Sequence, residues 1–413
     1  LKWRAVRTIK RFGVGGLILL IAACATYQTG MQGSIDMIRA RKFNDAAEKL
    51  KENAFKESDD QVVYLFEYGT AQQLAGNYKE SVQAFLKAED LTDVKDYHSL
   101  SRITGSLLLN EGMVQYKGED YEKVYLNAML AINFLAMNDR DAARVETRKI
   151  NDKLYKYKFE AKRDFNQDPF AYYLSATIWE ANREYDDALI DYKKAYELNP
   201  NIYYLKQDLL RVSKLARRAD EFQKYRKEFG PDVKVDDLRG KGEIIGIIQQ
   251  GWAPRKFPHP ESPRFPKLNP VWSGTQRARL VVDGVGEEDS ELVTSVESVA
   301  IKNLDSQYAS LVAKRMAGVA TKAVVADQLR QKNELLGQLA WIGMNVADQA
   351  DLRQWVTLPR SFQIIRFPLK QGTYKVHFEG LNVSGTPSGE NSDEMTIKVP
   401  AGKKIFLPWR TLN

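Results

Sequence analysis

A single cysteine, Cys24, stands in a chain of 413 residues. One thiol cannot close a disulfide within the chain. The three histidines, His98, His259 and His377, lie far apart, so the Cys/His spacings of a zinc site are missing as well. H-E-x-x-H, G-x-S-x-G and the P-loop are absent, which argues against a cofactor and against an enzyme unless distant residues assemble one. Long hydrophobic runs are missing too. The apolar stretch Phe12 to Ala23 has about a dozen residues, against the roughly 20 that a membrane-spanning helix needs. The fold must therefore rest on a buried core, without staples.

What the amino terminus does contain is positive charge. Lys2, Arg4, Arg7, Lys10 and Arg11 precede that short apolar stretch with no acidic residue between them, the layout of a secretory signal. Ile21-Ala22-Ala23-Cys24 resembles the lipobox of bacterial lipoproteins. That resemblance implies a signal peptide over 1–23, diacylglycerol on the Cys24 thiol and an acylated new amino terminus. With several chains at about 0.8 kcal/mol per buried CH2, the anchor is stable. Ala25 follows the cysteine where Asp would favour the inner membrane, so the expected address is the outer membrane, facing the periplasm. Removing the five positive residues from the formal +7 leaves about +2. No nucleic-acid partner is expected, because that needs a clustered basic face.

The remaining length suggests more than one domain, and the fold class expected is α+β multidomain. Residues 24–34 read as a polar tether. From 35 to 229 the pattern is helical and repeats. "LFEYGTAQQLAGNYKESVQAFLKAED" and "YYLSATIWEANREYDDALIDYKKAYELNP" place Gly69, Ser81, Ala176, Ala188 and Ala195 at the small positions of a tetratricopeptide repeat, and "ARKFNDAAEKL" and "LAINFLAMNDRDAARVETRKI" are weaker copies. Such hairpins stack into a curved solenoid, whose concave side is expected to receive a partner. Residues 230–413 read as a mixed α/β domain with β-sandwich-like strands: "GEIIGIIQQG" a buried strand, "RARLVVDGVGEED" a strand and acidic turn, 296–347 a helix, and "RSFQIIRFPL", "GTYKVHFEGL" and "EMTIKVPAGKKIFLPW" further strands. Within it, 251–272 carries Pro254, Pro258, Pro260, Pro263, Pro266 and Pro270 and reads as an extended surface connector.

Three stretches resemble an uncharacterised family of bacterial tetratricopeptide-containing envelope proteins, often lipoproteins. They are "YKGEDYE", with Tyr116, Gly118, Tyr121 and Glu122; "QQGWAPRK", with Gly251, Pro254, Arg255 and Lys256; and "ADLRQWVTLP", with Asp351, Arg353, Trp355, Leu358 and Pro359. Leu352 and Gln354 stand where small polar residues are expected. The resemblance implies architecture and address, and no activity.

Candidate partner contacts are Arg255 and Lys256, in a basic proline segment suited to a partner groove, and Asp351, Arg353 and Trp355, since Arg and Trp are typical hot spots. The competing reading of the second group is a structural corner, with Arg353 paired to Asp351 and Trp355 buried. Asp283, Glu287, Glu288 and Asp289 could hold Ca2+, but their spacing fits an acidic β-turn better. The expected function is a non-enzymatic scaffold serving a peptidoglycan-synthesis, motility or secretion assembly. The alternative is a peptidoglycan-binding or cell-wall-modifying protein.

Overall fold

A computed structural model describes residues 30–97, 115–160, 168–235, 240–332 and 350–413, together with 238, 334 and 338. The signal segment, Cys24 and His98 lie outside the described residues. The tether expected over 24–34 is helical from residue 30: α1 spans 30–39 and buries Met31, Ile35 and Ile38, spaced for one helix face.

The helical half continues with α2 (Phe43–Phe55), α3 (Gln61–Leu74), α4 (Tyr78–Tyr97), α5 (Asp120–Ala136), α6 (Arg140–Tyr155), α7 (Pro169–Ala181), α8 (Tyr185–Leu198), α9 (Leu205–Leu215) and α10 (Ala219–Phe229). Among the described residues, five turns join these helices in pairs by one and the same device. Arg41, Gly76, Asn138, Arg183 and Arg217 have φ between 56° and 78°. In each turn the next residue donates its N–H to the carbonyl five positions back, as Asn77 does to Gln72 and Glu184 to Trp179. This is the Schellman C-cap, and its recurrence marks five helix-turn-helix units, the fifth formed by α9 and α10. Within a unit the helices touch closely. A Cβ on Gly69 would lie 2.4 Å from the Phe85 ring, and Ser81 Oγ donates to the Gly69 carbonyl at 2.6 Å.

Among the described residues the second half has eleven strands. β1 (Lys241–Gln250), β6 (Glu291–Ser295), β7 (Ser361–Lys370) and β11 (Lys404–Arg410) form one sheet in the order β11-β1-β7-β6, with β11 parallel to β1. β10 (Met395–Val399), β8 (Gly372–Leu381), β4 (Arg277–Val282) and β5 (Gly286–Asp289) form the second, with β9 (Pro387–Asn391) on β8. The two sheets pack face to face through Ile244, Ile248, Ile365 and Phe378, and Gly246 is needed where a Cβ would come within 3.1 Å of Ile365. The opposite faces of the same strands carry Ile245, Ile247, Phe362 and Ile364 into the core of the helices. β1 is apolar on both sides, which is why it reads as an unbroken run. One core therefore crosses the division expected at 229/230, although α10 ends at Phe229 and β1 begins only at Lys241.

The proline segment differs from the plain connector expected. It holds a two-stranded ladder, β2 (Arg255–Pro258) with β3 (Pro266–Asn269), because a two-stranded ribbon has open edges where a missing N–H costs nothing. Trp252 and Ala253, just before it, are buried. Helix α11 (Val296–Lys332) follows β6 and packs its first part against β3. Most of 333–349 lies outside the described residues.

Candidate functional site in the groove of the helical array

The inner helices α3, α5 and α7 are buried almost all round, because one side faces the outer helices and the other faces residues 353–366 of the chain itself. The groove expected to receive a partner is filled in cis, which corrects that expectation.

The filling segment enters at Arg353. Its guanidinium pairs with Asp351 at 2.7 Å and with Asp60 at 3.0 Å, and sits 5.3 Å over the Tyr116 ring. Burial alone would lower its pKa, but the two carboxylates hold it well above its usual value. Trp355 follows, 1 % exposed. Its ring stacks on Phe66 at 4.5 Å, has Phe85 on another side at 5.4 Å, and donates Nε1–H to Thr70 Oγ1 at 2.9 Å.

Two buried carboxylates take the backbone amides of this turn. Glu122 Oε1 accepts the Trp355 N–H at 2.7 Å; Glu67 accepts the Val356 N–H at 2.6 Å, the Thr357 N–H at 3.2 Å and the Thr357 hydroxyl at 2.5 Å. Burial pushes both acids up to about 7, against the donors that favour the charged form. Glu122 also accepts from the Tyr116 hydroxyl at 2.5 Å and from the Glu119 N–H at 2.8 Å, so it caps α5 as well.

Lys256 completes the junction. Its Nζ donates to Glu119 at 2.5 Å and to the Arg353 carbonyl at 3.1 Å. Its N–H donates to Gln354 Oε1, while Gln354 Nε2 donates to the Pro254 carbonyl at 2.6 Å. Arg255 is half-buried and reaches Gln32 of α1 at 3.4 Å. The structure thus gathers Lys256, Asp351, Arg353 and Trp355 into one place, along with all three family-like motifs. Of these, Lys256, Arg353 and Trp355 are closed to any outside partner. Gln354, where a small polar residue was expected, ties two of the motifs together.

Beyond the junction, Phe362 lies on Phe170 at 4.1 Å and near Tyr125 at 5.4 Å. Arg366 then enters a closed ionic cluster with Arg211, Lys404, Glu180, Asp208 and Glu243. Three cations meet three carboxylates from α7, α9, β1, β7 and β11. Burial opposes the charge on Glu243, yet Arg366 and Lys404 draw its carboxyl down to about 2.

Sequence reasoning missed Glu67, Glu180 and Asp208 as junction residues. The signal was an acidic residue inside a helix that is otherwise apolar all round, as in "YLFEYGTA" and "SATIWEA". The acidic turn after β4 serves pairing: Arg279 bonds Asp289 at 2.6 Å and Glu287 at 3.1 Å, and Glu288 accepts from Tyr204 at 3.1 Å. Among the described residues no group of His, Cys, Asp and Glu could hold a metal ion, and no helix is long and apolar enough to cross a membrane.

No family model and no curated protein matches the chain. Solved structures similar to it include a MamA protein, 15% identical over 49% of this chain and 89% of that one, with a TM-score of 0.33. MamA 41-end from Desulfovibrio magneticus RS-1 is 17% identical over 49% and 90%, at 0.32. A tetratricopeptide repeat protein from Parabacteroides merdae is 16% identical over 50% and 68%, at 0.32.

Proposed function

We propose that the chain is a non-enzymatic scaffold of a bacterial envelope assembly, held in the outer membrane by lipid on Cys24 and facing the periplasm. The observation that carries this reading is the filled groove. A repeat array whose inner face is used to hold its own β-sandwich offers partners its outer helices instead. Large apolar side chains stand exposed there, Leu86 on α4, Val145 on α6 and Ile190 on α8, in an array whose other exposed positions are mostly polar. The assembly served is a peptidoglycan-synthesis, motility or secretion machine.

Two measurements test the two parts of the proposal. Labelled palmitate enters the wild type and not Cys24→Ala, which also leaves the outer-membrane fraction; labelling of the variant would sink the address. A photo-crosslinker placed at Val145 in cells traps one defined envelope protein, and Ile190→Lys releases it without altering the melting temperature. Identical crosslinks from wild type and Ile190→Lys would remove the scaffold reading.

A further inference from the structure

Among the described residues the two most exposed large apolar side chains are Val383, 86 %, and Trp272, 84 %. They stand on different loops at one end of the second sheet: Trp272 on residues 270–276, which lead into β4, and Val383 on residues 382–386, which join β8 to β9. β4 and β8 run antiparallel with Arg277 opposite Leu381, and the Gln276 N–H donates to the Leu381 carbonyl at 2.7 Å. One loop therefore ends where the other starts.

Both loops are held in shape by side-chain hydrogen bonds. Asn382 Oδ1 accepts the N–H groups of Ser384 at 2.9 Å and Thr386 at 3.2 Å. Buried Gln250 donates to Ser273 Oγ at 3.1 Å and to the Thr275 carbonyl at 2.6 Å, and Gln276 Nε2 donates to the Ser273 carbonyl at 2.6 Å. Ordered turns thus present the two apolar tips to the outside. Neither loop, "PVWSGTQ" nor "NVSGT", contains a charged residue. Entering an apolar phase costs them no desolvation of charge.

The place of the anchor selects the occupant. α1 begins at residue 30, six residues after Cys24, a stretch that can span at most about 20 Å. Arg255 reaches Gln32 near the start of α1, and Arg41, just past its end, pairs with Glu390 of β9, which also accepts from the Thr275 hydroxyl at 3.0 Å. α1 therefore ends beside the loop that carries Trp272. Because α1 is only about 15 Å long, a bilayer that takes the lipid of Cys24 lies within reach of both tips. Two side chains that protrude singly make no continuous patch for a protein partner, whereas tryptophan belongs at the boundary between headgroups and acyl chains. Resting on the lipid anchor at Cys24, we infer that Trp272 and Val383 dip into the membrane that holds the lipid. This second contact fixes how the sandwich stands on the bilayer, which a tether alone leaves free to turn.

With Cys24 alkylated, a cysteine introduced elsewhere is the only free thiol. Trp272→Cys, Val383→Cys and, on α6, Val145→Cys are each labelled with an environment-sensitive fluorophore in the lipid-anchored protein, reconstituted in vesicles of phosphatidylethanolamine and phosphatidylglycerol. Substitution at such exposed positions should leave the fold intact. The probes on Trp272→Cys and Val383→Cys are expected to shift to the blue, and lipids carrying a nitroxide near the headgroups should quench them severalfold more strongly than the probe on Val145→Cys. If either matches the Val145→Cys probe in vesicles that retain the protein, the inference is overturned while the anchor stands, and a protein partner becomes the occupant of these loops. Thiol labelling of the denatured wild type would show Cys24 to be free, and that result overturns the anchor and this contact with it.

Discussion

Glu67 and Glu122 show what a buried acid does when its hydrogen bonds come from amides and hydroxyls rather than from cations. Each accepts N–H groups from the Trp355–Thr357 turn, yet each is lifted from 4.5 to about 7 by burial. A carboxyl whose folded pKa lies above its unfolded value stabilises most fully below pH 4.5, and that contribution is lost as pH rises through 7. The shift corresponds to about 3 kcal/mol per group at most. We predict that Glu122→Gln flattens the fall in melting temperature between pH 5 and pH 8, because the amide does not titrate, while overall stability drops since one backbone donor, Trp355 N–H or Glu119 N–H, loses its acceptor. A slope equal to wild type would show that Glu122 does not titrate in this window. At the same junction, Trp355→Ala removes a ring packed against Phe66 and Phe85, and should cost about 3–5 kcal/mol in denaturant unfolding.

At the scale of elements, the five capped turns are the common unit. Only Gly76 is a glycine; Arg41, Asn138, Arg183 and Arg217 hold the left-handed conformation with a Cβ, at a cost of roughly 1–2 kcal/mol each. Arg217→Gly should therefore raise the melting temperature, offset in part by the greater freedom of glycine in the unfolded chain, for a net gain of about 0.5–1 kcal/mol. Thermal unfolding of that variant checks the figure, and a lower melting temperature would mean that the Arg217 side chain makes a contact worth more than the strain. The α9–α10 unit escaped pattern matching, although α7–α8, whose turn is also held by an arginine, did not. "LAGNY" advertises a turn, and "LARRA" hides one.

For the whole molecule, the six-membered ionic cluster is the fastening between array and sandwich. Its charges balance, so losing one partner leaves an uncompensated buried charge. Arg366→Met should cost about 3–5 kcal/mol, and adding Glu243→Leu should recover part of it. A double mutant less stable than the single would show that Glu243 stabilises by another route. Because Glu243 is drawn down to about 2, its contribution is full above pH 4.5 and fades as pH falls, opposite in slope to that of Glu67 and Glu122. Stability should peak near about pH 5, measured as the melting temperature across a pH series. The shared core predicts one cooperative transition for both halves.

The helices and the strands were largely readable in the sequence, because each follows from local spacing: 3.6 in "YKESVQAFLKAE", an apolar run in "EIIGIIQQ". Motif residues such as Lys256, Arg353 and Trp355 could be singled out too, with a contact site and a corner as competing readings. What no local pattern carries is which surface meets which. Trp355 and Thr70 are 285 positions apart, and Arg366 and Asp208 are 158 apart. Only when the sandwich closes against the array does the groove acquire its occupant, because filling it with residues 353–366 is what satisfies the buried acids of α3, α5, α7 and α9.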